Sequence, residues 1–186
     1  MTTRFIGCLH LGHLDMARYR GYQDEWYHDD KLIETWNSVV TNKKDITYIL
    51  GDITMESSEH YYKLDLLNGV KHVVLGNHDK RQHVTELLNY VDSVSGMIDH
   101  KGFALTHCPI HPSELSFYRG NIHAHIHHIN KLEEVYVAEH YADKSKIQYP
   151  TLHKYFNVDA SLLEFKPRTI DELLAMREEE IYNRTL

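Results

Sequence analysis

Residues 5–13 read FIGCLHLGH. A short apolar run ends at Cys8, and histidines follow at positions 10 and 13. That is the pattern of a buried strand that stops where polar, ligand-type side chains begin, as at the edge of an open α/β sheet. The thiol is the odd member, because a hard metal ion selects oxygen ligands. The same arrangement recurs twice. Ile46-Thr47-Tyr48-Ile49-Leu50 runs into Gly51-Asp52, and His72-Val73-Val74-Leu75 runs into Gly76-Asn77-His78-Asp79. Strands over residues 4–7, 46–50 and 72–75, separated by helical patterns, predict strand–helix–strand–helix–strand with right-handed crossovers and a parallel sheet.

The intervening segments fill in this outline. Residues 14–27 are polar and aromatic without a clear period and read as a loop with one helical turn. Asp29 caps a helix over residues 30–42, where Leu32, Ile33, Trp36, Val39 and Val40 share one face. Further helices are expected over residues 59–67 and 84–88. The second half changes character, with a hairpin over residues 96–106 that turns near Gly102 and strands over residues 135–138 and 155–163. Residues 144–150 read as an exposed loop. After Pro167, Thr169 and Glu172 have capping-box spacing and open a last helix to about residue 180. No internal repeat or linker interrupts residues 1–186, so one domain is expected.

Composition narrows the classes. The chain has 186 residues, 42% apolar and 25% charged, enough to bury a core. No apolar run approaches the roughly 20 residues that span a bilayer. The N-terminus lacks the apolar stretch of a signal peptide, so a cytoplasmic protein without a membrane partner is expected. Cys8 and Cys108 are too few for a disulfide framework. A net charge of −7, with no basic stripe, argues against extended nucleic acid as a partner. Histidine is the outlier at 16 residues, about one in twelve. Imidazole is the commonest metal-ligating side chain.

The histidines gather with carboxylates and an amide at strand ends. The first half supplies Cys8 and His10, then Asp52, then Asn77 and His78. The second half adds His107 after residues 103–106, and the run His123-Ala124-His125-Ile126-His127. In an extended segment positions i and i+2 point the same way, so His123, His125 and His127 are expected on one face. Gly51 and Gly76 allow sharp turns just before candidate ligands. The Asn77 carbonyl is a neutral hard ligand, suited to a two-metal site that must not gather too much negative charge.

In this order the motifs resemble those of the calcineurin-like metallophosphoesterases, which run D-x-H, G-D, G-N-H-[DE], H and G-H-x-H. They stand here as Cys8-Leu9-His10, Gly51-Asp52, Gly76-Asn77-His78-Asp79, His107 and Ala124-His125-Ile126-His127. The resemblance covers nearly the whole chain and points to the small, capless members found in bacteria and phages. It implies an α/β fold, a four-layer α-β-β-α sandwich of two mixed sheets with the metal site at the C-terminal strand ends. It also implies two divalent metal ions, with Mn, Zn, Fe or Ni as candidates. The first would take Cys8, His10, Asp52 and His127, and the second Asp52, Asn77, His107 and His125.

By the same resemblance, a metal-bridging hydroxide attacks a small phosphorylated substrate, a phosphomonoester or small phosphodiester. Asp52 bridges the metals. His78 stabilises developing charge or protonates the leaving group, and Asp79 orients its ring. Asn77, His78 and His13 would meet the substrate. A nuclease or cyclic-nucleotide phosphodiesterase on the same scaffold is the alternative, as is a catalytically impaired binding module.

The last motif has Ala124 where the family has glycine, which leaves a choice between His123/His125 and His125/His127. Similar members carry an extra histidine just before the motif, matched here by His123, so the resemblance favours His125 and His127. Cys8 replaces an aspartate. A thiolate carries the same charge and ligates Zn²⁺ at about 2.3 Å; the other reading is that it stays a thiol and the first metal is weakly held.

Overall fold

The computed structural model describes residues 1–127 and 154–184. Strands β1 (Thr3–Ile6), β2 (Ile46–Ile49), β3 (Val70–Val74) and β4 (Ser93–Ser95) form one sheet in that order. Strands β5 (Ile98–His100), β6 (Phe103–Leu105), β7 (Gly120–His123) and β8 (Tyr155–Asn157) form a second. The expectation of two mixed sheets holds only for the second, where β5 and β6 are antiparallel and the other pairs parallel. The first sheet is wholly parallel. Helices α1 (Leu14–Tyr19) and α2 (Glu25–Val39) connect β1 to β2; a 3-10 helix (Tyr61–Leu66) connects β2 to β3; α3 (Val84–Leu87) lies between β3 and β4. Each connection returns the chain to the same end, which is what parallel pairing requires.

The hydrophobic spacing placed most of these elements, and the differences have local causes. Helix α2 starts five residues early because Asp24, not Asp29, is its cap: the Asp24 carboxylate accepts the Tyr27 N–H at 2.8 Å. Asp29 is consumed inside the helix by buried partners. Residues 14–27 are therefore not a loop; they contain α1 and the first turn of α2. The helix expected over residues 59–67 is a 3-10 helix, whose end is gripped by the Asn37 side chain through Leu66 O and Asn68 N. Strand β4 is too short and polar to show alternation. Strand β8 stops at Asn157 instead of running to residue 163, because the chain turns toward β1. The expected strand at residues 135–138 and loop at 144–150 lie outside the described residues.

That turn joins the two sheets. Gly7 N–H donates to Val158 O and Ala160 N–H donates to Gly7 O, at 2.8 and 2.9 Å. Phe5 and Arg168 exchange a second pair of backbone bonds. Phe5, Ile6, Ile49 and Val73 from the first sheet share one buried cluster with Leu105, Ile122 and Phe156 from the second, and with Leu32 and Trp36 of α2. The chain thus brings the end of β1 to the end of β8. No helix among the described residues is long and apolar enough to cross a membrane.

Helix α4 (Ile170–Arg184) begins with the expected capping box. Thr169 N–H donates to Glu172 Oε2 at 2.7 Å and Glu172 N–H to Thr169 Oγ1 at 3.2 Å. Glu172 also pairs with Arg4 of β1 at 3.2 Å, so the cap ties α4 to the first strand. Replacing Thr169 by Ala is expected to cost about 1 kcal/mol in urea unfolding, with Ser retaining most of the stability. Equal stability for Ala and wild type would show that the box contributes nothing.

Candidate metal centre

Each candidate ligand follows the end of a strand. Cys8 and His10 follow β1, Asp52 follows β2, Asn77 and His78 follow β3, His107 follows β6, and His125 and His127 follow β7. Four of them hold their backbones in the left-handed region that side chains avoid: Cys8 at φ 55°, His10 at 52°, Asp52 at 54° and His125 at 67°. Such backbones cost about 1–3 kcal/mol each and persist only where the surroundings impose them. Here backbone bonds impose them: Cys8 N–H donates to Gly51 O and His10 N–H to Asp52 O, at 2.9 and 3.0 Å. Gly51, at φ 80°, allows the tight approach. A Cβ there would lie 2.5 Å from Gly76 N and 2.6 Å from His107 Nδ1.

Two sets of donors result. The Cys8 thiol and ring nitrogens of His10 and His127 lie within 4.8 Å of one another, as do Cys8, Asp52 and His107. His107 Nδ1 is 2.8 Å from Leu50 O, so it carries the proton and donates. His107 Nε2 is 2.9 Å from Asn77 Oδ1, 3.1 Å from His125 Nδ1 and 3.3 Å from Asp52 Oδ2. Burial would lower the ring's pKa, but Asp52 and Leu50 O raise it, so Nε2 can donate to Asp52 and would yield that proton to a cation. The same Asp52 oxygen lies 3.8 Å from His10 Nε2 and so sits between the two sets. Cys108, which the sequence reading did not place, brings its thiol within 4.8 Å of ring nitrogens of His107 and His125.

His10 supplies the test of whether a cation fits. It is 1% exposed, yet neither ring nitrogen has a hydrogen-bond partner among the described residues. A buried imidazole is normally bonded, and leaving one unpaired is costly. Burial, then the nearby Arg20 charge, hold its pKa down to about 3, so the ring is neutral with a lone pair to offer. Burial similarly lowers the pKa of His125. Burial would raise Asp52, but the His107 ring and the His78 N–H more than offset it, so the carboxylate is held ionised. Burial pushes the Cys8 thiol well up, with Asp159 and Asp52 adding to it, while the His125 N–H donates to Sγ at 3.2 Å. A thiol, a carboxylate, an amide oxygen and imidazoles form a mixed donor set that suits a borderline divalent ion.

The expected face shared by His123, His125 and His127 does not form. His123 ends β7 and is buried, with Nδ1 3.0 Å from Ala124 O, outside the donor sets. Beyond it the strand alternation is broken at His125, where Ile126 N–H closes a tight turn onto Ala124 O at 2.8 Å. That turn sends His125 to His107 and His127 to Cys8 and His10, the register His125/His127. Ala124 lies outside the left-handed region and its methyl fills space beside Gly7, where a second Cβ would lie 2.5 Å away.

Asp79 does not orient His78. Its buried carboxylate accepts the N–H groups of Asp52, Ile53 and Gly76 at 2.8, 3.0 and 2.8 Å, tying together the loops after β2 and β3. Burial raises its pKa even against those donors. The carboxylate beside His78 is Glu56, 3.5 Å from Nδ1 and itself paired with Lys80 at 2.9 Å. His78 N–H donates to Asp52 Oδ1 at 3.0 Å, and its ring lies 5.9 Å from that of His10. The His13 ring is 6.3 Å from that of His10, but its Nδ1 accepts the Met16 N–H and caps α1.

A buried polar chain, unread in the sequence, supports the first set. Asp159 Oδ2 accepts from His127 Nδ1 at 2.7 Å, leaving Nε2 free to face outward from that bond. Arg20 lies 3.8 Å from Asp159 and donates to Cys8 O at 2.7 Å and Leu9 O at 3.0 Å. Arg20 also contacts His28 Nε2 at 2.9 Å. A guanidinium only donates, so Nε2 accepts and His28 Nδ1–H donates to Asp29 Oδ1 at 2.7 Å. Asp29 Oδ2 accepts from Gly12 N at 2.7 Å and Lys63 Nζ at 2.6 Å. Only tertiary placement brings these residues together, since Lys63 and Asp159 are far apart in sequence.

Comparison with known proteins places the fold. No family model matches the chain. An uncharacterized protein of Methanocaldococcus jannaschii, MJ1445, is 29% identical over 189 residues, covering 97% of this chain and 94% of its own. The gene 66 protein of Mycobacterium phage L5 is 38% identical over 82 residues, 41% of this chain and 39% of the phage protein. The crystal structure of AQ665 from Aquifex aeolicus, a protein of unknown function, superposes with a TM-score of 0.67 at 23% identity, covering 94% of this chain and 98% of that one. The fold is thus shared across nearly the full length of both.

The polar chain is testable without any ligand. Lys63→Met strips a buried partner from Asp29 and is expected to destabilise by about 3–5 kcal/mol in urea unfolding. Burial alone would raise the Asp29 pKa, but His28 and Lys63 hold it below its ordinary 3.8. The unfolded chain therefore takes up that proton first. The carboxylate contributes stability above the ordinary value that is lost as pH falls through the lower folded one. The variant is expected to show a shallower loss over that acidic range. An unchanged acid profile and a cost under about 1 kcal/mol would contradict the network.

Proposed function

We propose that this chain is a metal-dependent phosphoesterase of the calcineurin-like type, with two metal positions sharing Asp52. The observation that carries this is the buried His10 ring, without a partner among the described residues, whose donor atom lies within 4.8 Å of those of Cys8 and His127 and whose Nε2 is 3.8 Å from Asp52 Oδ2. Cys8, His10, Asp52 and His127 would hold the first ion, and Asp52, Asn77, His107 and His125 the second. The set is mixed, so Mn, Zn, Fe or Ni are the candidates, and the Cys8 thiolate favours the softer ones. We infer the four-layer arrangement of two sheets flanked by helices, with the site at the C-terminal strand ends, and one domain. A reducing, cytoplasmic compartment suits a site carrying two free thiols.

When bound, two such ions would acidify a shared water and neutralise phosphoryl oxygens. The protein's own groups do the rest. Asp52 spans both positions through a carboxylate kept ionised by His107 and the His78 N–H. Asp79 fixes the spacing of Asp52 and Gly76, so it acts as a strut rather than as a partner of His78. Asn77 offers a neutral oxygen. With Nδ1 beside Glu56, His78 has Nε2 left to meet the leaving-group oxygen as proton donor. His13, with Nδ1 used as a cap, has only Nε2 for a substrate phosphate.

The assay pairs aryl phosphomonoester and aryl phosphodiester hydrolysis with Mn²⁺, Zn²⁺, Ni²⁺ and Mg²⁺ added singly to metal-stripped protein. Activity with at least one ion is expected, and diester preference would favour the nuclease or cyclic-nucleotide branch. His78→Ala should lower kcat about 10²–10⁴-fold for an alkyl leaving group and much less for a nitrophenolate, which needs no proton. Stoichiometric metal binding with no hydrolysis under any ion would favour a binding module instead.

A further inference from the structure

We propose that Cys108 is a thiolate ligand of the second metal position, so that each position holds one sulfur: Cys8 in the first and Cys108 in the second. This rests on the two-metal reading above. The resemblance assigns no role to the residue after the His107 motif, and the geometry gives it one. The Cys108 Sγ lies within 4.8 Å of ring nitrogens of both His107 and His125, which are themselves mutually within that distance. His107 Nε2 already converges with Asn77 Oδ1 and Asp52 Oδ2. The thiol therefore joins a gathered donor set.

The turn that carries Cys108 is braced from beneath. Thr106 Oγ1 donates to Cys108 O at 2.6 Å. The buried Asn121 of β7 donates to Ala104 O at 2.8 Å and to Thr106 Oγ1 at 2.9 Å, and its carbonyl accepts the Ile110 N–H at 3.0 Å. One side chain thus spans both flanks of the turn, and the turn holds the sulfur against the two imidazoles. Cys8 is buried and Cys108 exposed. The second position is accordingly the open one, with its sulfur reachable by solvent when no ion is bound.

The chemistry that follows concerns metal choice. Two thiolates and one carboxylate bring three negative charges to two divalent ions, and sulfur on both selects Zn²⁺, Fe²⁺ or Co²⁺ over Mg²⁺ and Mn²⁺. Binding must also release the Cys108 proton, because only the thiolate ligates.

Cobalt reads this directly. Metal-stripped wild type given two equivalents of Co²⁺ should bind both and show near-ultraviolet sulfur-to-cobalt charge-transfer absorption. Cys108→Ser and Cys8→Ser should each lose about half of it, one sulfur of two, and the double variant all of it. In wild type, iodoacetamide should label Cys108 in the stripped protein and not in the protein holding two Zn²⁺. Two bound cobalts with an undiminished band in Cys108→Ser, or equal Cys108 labelling with and without zinc, would overturn this assignment alone. Absence of cobalt and zinc binding by wild type would overturn the two-metal reading and this assignment with it.

Discussion

Asp79 fixes the distance on which the rest of the site depends. Its buried carboxylate takes N–H groups from Asp52 and Ile53 after β2 and from Gly76 after β3. Three charge-assisted bonds hold two loops that would otherwise be independent. Asp52 is then locked with its backbone in the left-handed region, one oxygen taking the His78 N–H and the other facing His10 and His107. Gly51 and Gly76 pack so closely that a methyl at Gly51 would collide with backbone. The strain at Cys8, His10, Asp52 and His125 is the cost of aiming four side chains inward from strand ends.

The second sheet completes the site through the bridge between Gly7 and the β8 exit. Because Gly7 pairs with the residues around Asp159, the Asp159 carboxylate arrives next to Arg20 and His127. Arg20 then binds the Cys8 and Leu9 carbonyls, so one buried cation holds the first loop and steadies the carboxylate that orients His127. Through His28 and Asp29 the same chain reaches Lys63 and the Gly12 backbone. Disturbance at α2 would thus be felt at Cys8.

The strands and the ligand types were legible because both are local properties. Apolar runs ending in Gly-Asp, Gly-Asn-His or Cys-x-His mark buried strands of a parallel sheet, and all three lie where the spacing put them. Four things were not legible. Asp24 and Asp29 are both good caps, and which one caps is decided by Asp29 being drawn to Lys63, His28 and Gly12. The face of His125 and His127 depends on a single tight turn that strand alternation cannot foresee. Asp159, Arg20 and Cys108 acquire their places only through tertiary contact, and for Asp79 the family resemblance pointed to His78, whereas its carboxylate takes the N–H groups of Asp52, Ile53 and Gly76.

Polar groups at the site are buried at backbone cost, and among the described residues neither nitrogen of the buried His10 ring has a partner. On the reading proposed above, a cation on Cys8, His10, Asp52 and His127 would resolve that imbalance, and a second would sit on Asp52, Asn77, His107 and His125. Equilibrium dialysis of chelator-stripped protein against Mn²⁺, Zn²⁺, Fe²⁺ and Ni²⁺ tests this most directly. The account predicts about two ions retained per chain for at least one metal, and about one in His10→Ala. Wild type that retains none of the four would contradict it.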